Sequence, residues 1–159
     1  MRVQVLQRMA SAKRGKAPAL LAIALAVGGC GSGDHAVPVA CKGGTGPVRA
    51  ALARAPARVD LDGTRLSDCF TRSSDPADIQ QVGAAYVAAA AGLADGARLR
   101  PEGPEALRLG YLVGAARRGA ARTQGVHDEL VRRIEQELGG VNTRSAAYQR
   151  GYGAGRDHG

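Results

Sequence analysis

Beyond residue 75, apolar side chains recur at steps of three and four, and that spacing predicts helices. Ile79, Val82, Tyr86, Ala90 and Leu93 form one stripe, as a helix with a single buried face requires. Asp75-Pro76 marks its start: Asp is a good N-cap and Pro suits the first helical position. Asp78 adds negative charge where the helix dipole favours it. Asp95-Gly96 reads as its end. A second helix is expected from Pro101 or Pro104, with Glu102 and Glu105 in its first turn and Leu109, Leu112, Val113 and Ala116 on one face. A third spans about residues 124–138, where Val126, Leu130, Ile134 and Leu138 stand four apart before Gly139-Gly140. Asn142 or Thr143 is placed to cap a fourth, over about residues 144–155.

The earlier pattern is sparser. Residues 31–46 are rich in glycine and show neither helical nor strand period, so they read as a flexible tether. A short helix over residues 47–55 would be stopped by Pro56. Val59-Asp60-Leu61-Asp62 alternates briefly and Asp62-Gly63-Thr64 is a turn signal, while Leu66, Cys69 and Phe70 share one face of a helical turn. The expected architecture is all-α: a small bundle of about four helices over residues 47–159, behind a tether.

Such a bundle has a lean core. Leu, Ile, Val and Phe supply only 23 of the 130 residues from Cys30 onward, so alanine has to provide the remaining apolar content and helix propensity. Small residues also recur every fourth position: Ala84, Ala88, Gly92 and Gly96, then Ala106, Gly110 and Gly114, then Ala147, Gly151 and Gly155. A glycine inside a helix costs about 1 kcal/mol against alanine. Such a cost points either to backbones in close approach or to composition alone.

The formal charge of +8 suggests nucleic acid until it is located. Arg2, Arg8, Lys13, Arg14 and Lys16 all precede residue 30, in a segment without Asp or Glu; removing these five charges leaves +3. No nucleic-acid partner is expected. After this basic start comes an apolar run over residues 17–27, too short to span a bilayer, which needs about 20 apolar residues. It ends in Val27-Gly28-Gly29-Cys30. This resembles the lipobox of bacterial lipoprotein precursors: an aliphatic residue, two small residues and a cysteine. The resemblance is confined to residues 1–30. It implies a diacylglycerol on the Cys30 thiol, cleavage before that cysteine, and removal of residues 1–29 as a signal peptide counted from Met1 or Met9. The tether would then be residues 30–46, held on the extracytoplasmic face of a cell membrane. In a two-membrane host, Gly31 after the cysteine would permit passage to the outer membrane.

Lipidation would consume Cys30 and leave Cys41 and Cys69 as a pair in an oxidising compartment. A bridge between them would close a loop of 29 residues, which the chain-entropy argument values at about 3–4 kcal/mol. Two separate thiols or a metal site are the weaker alternatives, since no His or Cys stands nearby at ligand spacing.

No catalytic set stands out, and no cofactor or metal is expected. His35 falls in the tether, His158 is next to last, and His127 sits on a helix, where a lone histidine is most often a surface or boundary residue. Ser67, Ser73, Ser74 and Ser145 lack a nucleophile-elbow context. Asp60/Asp62 and Glu135/Glu137 need not converge, and Asp128 with Arg132 and Glu129 with Arg133 suit helical ion pairs. Gly151-Tyr152-Gly153-Ala154-Gly155 has neither the downstream helix nor the acid of a nucleotide loop. Tyr148 and Tyr152 are expected to pack an edge of the bundle. One weak feature is Arg117, Arg118, Arg122, Arg132 and Arg133 around the turn between the second and third helices. They could meet anionic lipid or wall polymer near the anchor, or simply form a solvated end. Two function classes follow: a non-catalytic envelope lipoprotein that binds lipid, polymer or protein, and a small envelope enzyme or metal-dependent factor with a site not visible in the sequence.

Overall fold

Asp75 caps the longest helix as its sequence predicts: its carboxylate accepts hydrogen bonds from the backbone N–H groups of Ala77 and Asp78, and Pro76 occupies the first turn. The computed structural model describes residues 37–159 except Ser73, Ser74 and Gln124. The signal segment, Cys30, the first part of the tether and His35 lie outside the described residues.

The architecture is all-α. After a 3-10 turn at Val39–Lys42 come six helices: α1 (Thr45–Leu52), α2 (Leu66–Thr71), α3 (Pro76–Leu99), α4 (Pro104–Ala120), α5 (Val126–Gln136) and α6 (Ala146–His158). The last four are the helices that periodicity foretold. Strand structure among the described residues is one hairpin, β1 (Asp60–Leu61) with β2 (Thr64–Arg65), turned at Asp62-Gly63. Both turn residues have positive φ, 49° and 77°, the conformation a tight two-residue hairpin needs.

Helix boundaries differ from expectation in two notable places. α3 runs through Asp95-Gly96 to Leu99 and stops at Arg100, which is non-helical as a residue before Pro101 tends to be. α6 starts later, because Ser145 rather than Asn142 or Thr143 caps it and accepts from Tyr148 N–H. The Glu102 carboxylate reaches over from the α3–α4 turn and accepts from the backbone N–H groups of Ala146 and Ala147, at 3.1 and 2.9 Å. That contact supplies the negative charge this helix start lacks in its own sequence.

The tether is the main correction. From Val37 onward the chain is already part of the domain: Val37 and Cys41 are buried, and Cys41 is bonded to Cys69 with a Cα–Cα distance of 5.5 Å. Lys42 pairs with Asp78 at 3.0 Å, and Gln81 donates to the Lys42 carbonyl. Isolated anchors of this kind leave no periodic trace, so a glycine-rich stretch looked free.

Tyr86, Tyr111, Leu52, Leu66, Leu109, Leu112 and Ile134 are the large side chains at the centre. The two tyrosines stay satisfied there: Tyr86 donates to the Leu66 carbonyl at 2.8 Å, and the Tyr111 hydroxyl accepts from Val59 N–H at 3.0 Å. Burial, with Asp68 nearby, pushes the Tyr86 phenol far above its ordinary range. Phe70 stacks on Tyr86 with ring centroids 5.8 Å apart.

α4 and α6 meet backbone to backbone. A Cβ on Gly110 or Gly114 would overlap the carbonyl oxygens of Tyr148 and Tyr152, and one on Gly151 or Gly155 would overlap those of Leu107 and Tyr111. These two small-residue rows are a true seam, like those that let helices approach closely elsewhere. The α3 row is not: Ala84, Ala88 and Gly92 are exposed. α3 instead turns Val82, Ala85, Tyr86, Ala89, Ala90, Leu93 and Ala97 inward.

Candidate functional site

The polar side chains most able to do chemistry converge between α4, α5 and α6. Arg117, in the last turn of α4, is ion-paired and hydrogen-bonded to Glu135 on α5. Two shallow clefts share this pair. One, of about 250 Å³, is lined by Tyr148, Tyr152, Val113, Leu138 and Thr143 as well as the pair. The other, of about 290 Å³, has Arg132, Arg156, Asp128 and Val131 in its wall.

Tyr148 and Tyr152 lie one turn apart on α6 with their rings nearly parallel, 6.3 Å between centroids and 11° between planes. Burial, helped by Glu135 and by Tyr152, pushes the Tyr148 phenol up to about 12. The bond to Glu135, with a weaker one to Tyr152, raises the Arg117 guanidinium above its ordinary value. The cleft therefore presents a protonated phenol next to a fixed cation. It is equipped to hold a ring against Tyr152, while Arg132 and Arg156 line the second cleft. Proton transfer by Tyr148 near neutrality is opposed by the same burial.

The five arginines singled out in the sequence are not one open patch. Arg117 faces Glu135, and Arg118 donates to the Arg156 and Asp157 carbonyls at 2.6 and 2.7 Å, closing the C-terminal end of α6. Arg122 pairs with Asp68 at 3.3 Å. Arg132 grips Glu129 with two hydrogen bonds and Arg133 adds a third, which holds the Glu129 carboxyl down at about 2. The expected Asp128–Arg132 pair gives way to this arrangement, in which Glu129 serves both arginines.

His127 departs from expectation. It is buried, 7% exposed, with its ring tilted on Phe70 at 5.4 Å between centroids. Desolvation lowers its pKa against the opposing effects of a hydrogen bond to the Phe70 backbone and of Asp128. Its Nε2 has no hydrogen-bond partner among the described residues. Leu130, Val131 and Ile134, three, four and seven positions on, share its buried face, whereas Val126, expected on that stripe, is 49% exposed.

Ser67 is also buried and donates to the Gly159 carbonyl at 2.5 Å, while Ser145 serves as the α6 cap. Ser73 and Ser74 lie outside the described residues. Asp60 is held by Arg58 at 3.0 Å, and His158 is exposed at the end of α6. The glycine-rich 151–155 segment is helix and seam, which leaves no loop to cradle a phosphate. Among the described residues no three His, Cys, Asp or Glu side chains are grouped to hold a metal ion, and no helix is long and apolar enough to cross a membrane. The cleft itself was missed in the sequence. Its one legible element was the Tyr148/Tyr152 spacing, because the Arg117–Glu135 pair depends on how α4 and α5 pack.

Comparison with known protein families, with curated proteins and with solved structures finds no match to this chain.

Proposed function

We propose that this chain is the precursor of a bacterial envelope lipoprotein, cut before Cys30 and held at a membrane by lipid on that cysteine. Its helical domain then acts by binding at the membrane surface. The observation that carries this reading is Val27-Gly28-Gly29-Cys30 behind a basic start and a short apolar run. The Cys41–Cys69 bridge supports it, because such bonds persist in exported, oxidising compartments. The test is lipid labelling in cells with fractionation of the membrane. Wild type takes up labelled fatty acid and yields a mature chain beginning at Cys30. Cys30→Ser takes up none and accumulates as uncut precursor. A mature chain beginning downstream of Cys30 and free of lipid refutes the proposal.

The alternative, a small envelope enzyme, is favoured by one observation: Tyr148 and Arg117, both with raised pKa, line one cleft together with Tyr152 and Glu135. Native mass spectrometry of the mature domain tests it. A retained small molecule that is lost in Glu135→Gln supports a working site there; a ligand-free spectrum favours the surface-binding reading.

A further inference from the structure

Val37 is 3% exposed and only seven residues beyond Cys30. Seven residues fully extended reach at most about 25 Å. Given the lipid-anchor reading, on which this inference rests, the part of the domain around Val37 is therefore confined close to the bilayer. That part is firmly placed. The Lys42–Asp78 pair and the Gln81 bond to the Lys42 carbonyl dock the 3-10 turn on the N-terminal end of α3, and the Cys41–Cys69 bond ties it to α2. Leu99 stands at the opposite end of α3, 21 residues beyond Asp78, or about 32 Å along the helix axis. The groove end is thus the part the leash holds nearest the anchor, and the Leu99 end lies farther from it.

The confined end carries an open, mostly apolar groove of about 550 Å³ between the 3-10 turn, α1 and the hairpin. Val39, Ala40, Pro47, Ala50 and Leu61 line it, and Arg54 stands at its rim. Val39 is 84% exposed, matched among the described large apolar side chains only by Leu99. One exposed valine is ordinary. Here it adjoins an apolar groove at the end tied to the anchor. The rim charges are largely balanced: Arg54 donates to the Asp60 carbonyl, Arg58 holds the Asp60 carboxylate, and Asp62 is exposed. Attraction to anionic lipid is thus a minor contribution, and apolar contact is what this surface offers.

We propose that the Val39 groove is the face the domain lays on the lipid surface, with Val39 and Ala50 entering the boundary between headgroups and acyl chains and Arg54 at the phosphates. An amphipathic surface held there gains by burying its apolar side a few ångströms into the interface.

The chain contains no tryptophan, so Val39→Trp, Ala50→Trp and Leu99→Trp each install a single reporter at an exposed position. Each full-length variant is isolated in its mature form, its mass is read for lipid on Cys30, and it is placed in phosphatidylcholine–phosphatidylglycerol vesicles whose acyl chains carry bromine as a quencher. We expect blue-shifted emission from Val39→Trp and Ala50→Trp, quenched severalfold more than that of Leu99→Trp. Two groove positions are read so that a misfolded variant at one leaves the other decisive. Water-like emission from both on lipidated protein, or quenching no greater than that of Leu99→Trp, overturns the face while leaving the anchor intact. A blue shift without bromine quenching that grows with protein concentration assigns the groove to a second copy and also overturns it. A mature chain without lipid on Cys30 overturns both the face and the anchor.

Discussion

Gly151 of α6 lies against the backbone carbonyl of Leu107 in α4, so closely that no side chain could stand between them. Gly110 and Gly114 repeat the relation in the other direction, against Tyr148 and Tyr152. Along this seam α4 and α6 meet through residues that contribute almost no side-chain surface. Its stability comes from backbone contact and excluded water rather than from interlocked large side chains.

That arrangement makes a sharp mutational contrast within one helix. Gly151→Ala should destabilise by about 1–3 kcal/mol, because the added methyl meets backbone that cannot rotate away. Gly153→Ala, where a Cβ meets nothing within 4 Å, should stabilise by about 0.5–1 kcal/mol through helix propensity. Urea unfolding of the two variants measures both signs. A stabilised Gly151→Ala would show that the seam is looser than described.

Reduction of Cys41–Cys69 frees the segment that joins the N-terminal side to α2. Replacing both cysteines by serine should cost about 2–4 kcal/mol, a large share of the stability of a domain with so few large apolar residues. Thermal unfolding with and without reductant provides the measurement, and peptide mapping without reductant identifies the bond. Recovering both thiols alkylatable from protein isolated from cells would contradict it.

His127 predicts a pH dependence. Its folded pKa lies below the unfolded value of 6.5 because burial opposes the imidazolium. Below that pH the unfolded chain binds a proton that the folded chain resists. Stability should therefore be full above about pH 6.5 and decline as pH falls from there toward the lowered folded pKa. In His127→Gln the slope between pH 7.5 and 5.5 should shrink, as read by denaturant unfolding at each pH. An unchanged slope would place the titrating group elsewhere.

Glu102 holds the start of α6 from outside that helix. Glu102→Ala should cost about 1 kcal/mol, in the range of a lost N-cap. Glu102→Gln should retain part of this by keeping an acceptor. Faster amide hydrogen exchange at the start of α6 in Glu102→Ala is the local signature to measure.

Much of the fold was legible because amphipathic spacing and capping act locally. Asp75-Pro76 starts α3, Asp62-Gly63 turns the hairpin, and the stripe through Val82, Tyr86 and Leu93 is the buried face. The candidate site was barely legible. Arg117 and Glu135 are 18 residues apart on different helices, and no local rule pairs them. Within the arginine run, helical spacing made the Glu129–Arg133 pair legible, but the partners of Arg122 and Arg117, Asp68 on α2 and Glu135 on α5, come from helices other than α4.

The sequence by itself determined the four longer helices, the Asp75-Pro76 start of α3 and the turn at Asp62-Gly63, and it paired Cys41 with Cys69 on the expectation that lipid takes Cys30. Each depends on residues close in the chain, or on counting. Only the tertiary structure decided which glycine row is a seam, since α3 carries the same spacing and leaves most of it exposed. It also decided that Val37 to Lys42 belongs to the domain, that His127 is inside, and that an apolar groove opens beside Val39. Those outcomes depend on which surfaces meet across long sequence separations. Periodicity within a single element shows that a face will be covered; it carries no information on what covers it.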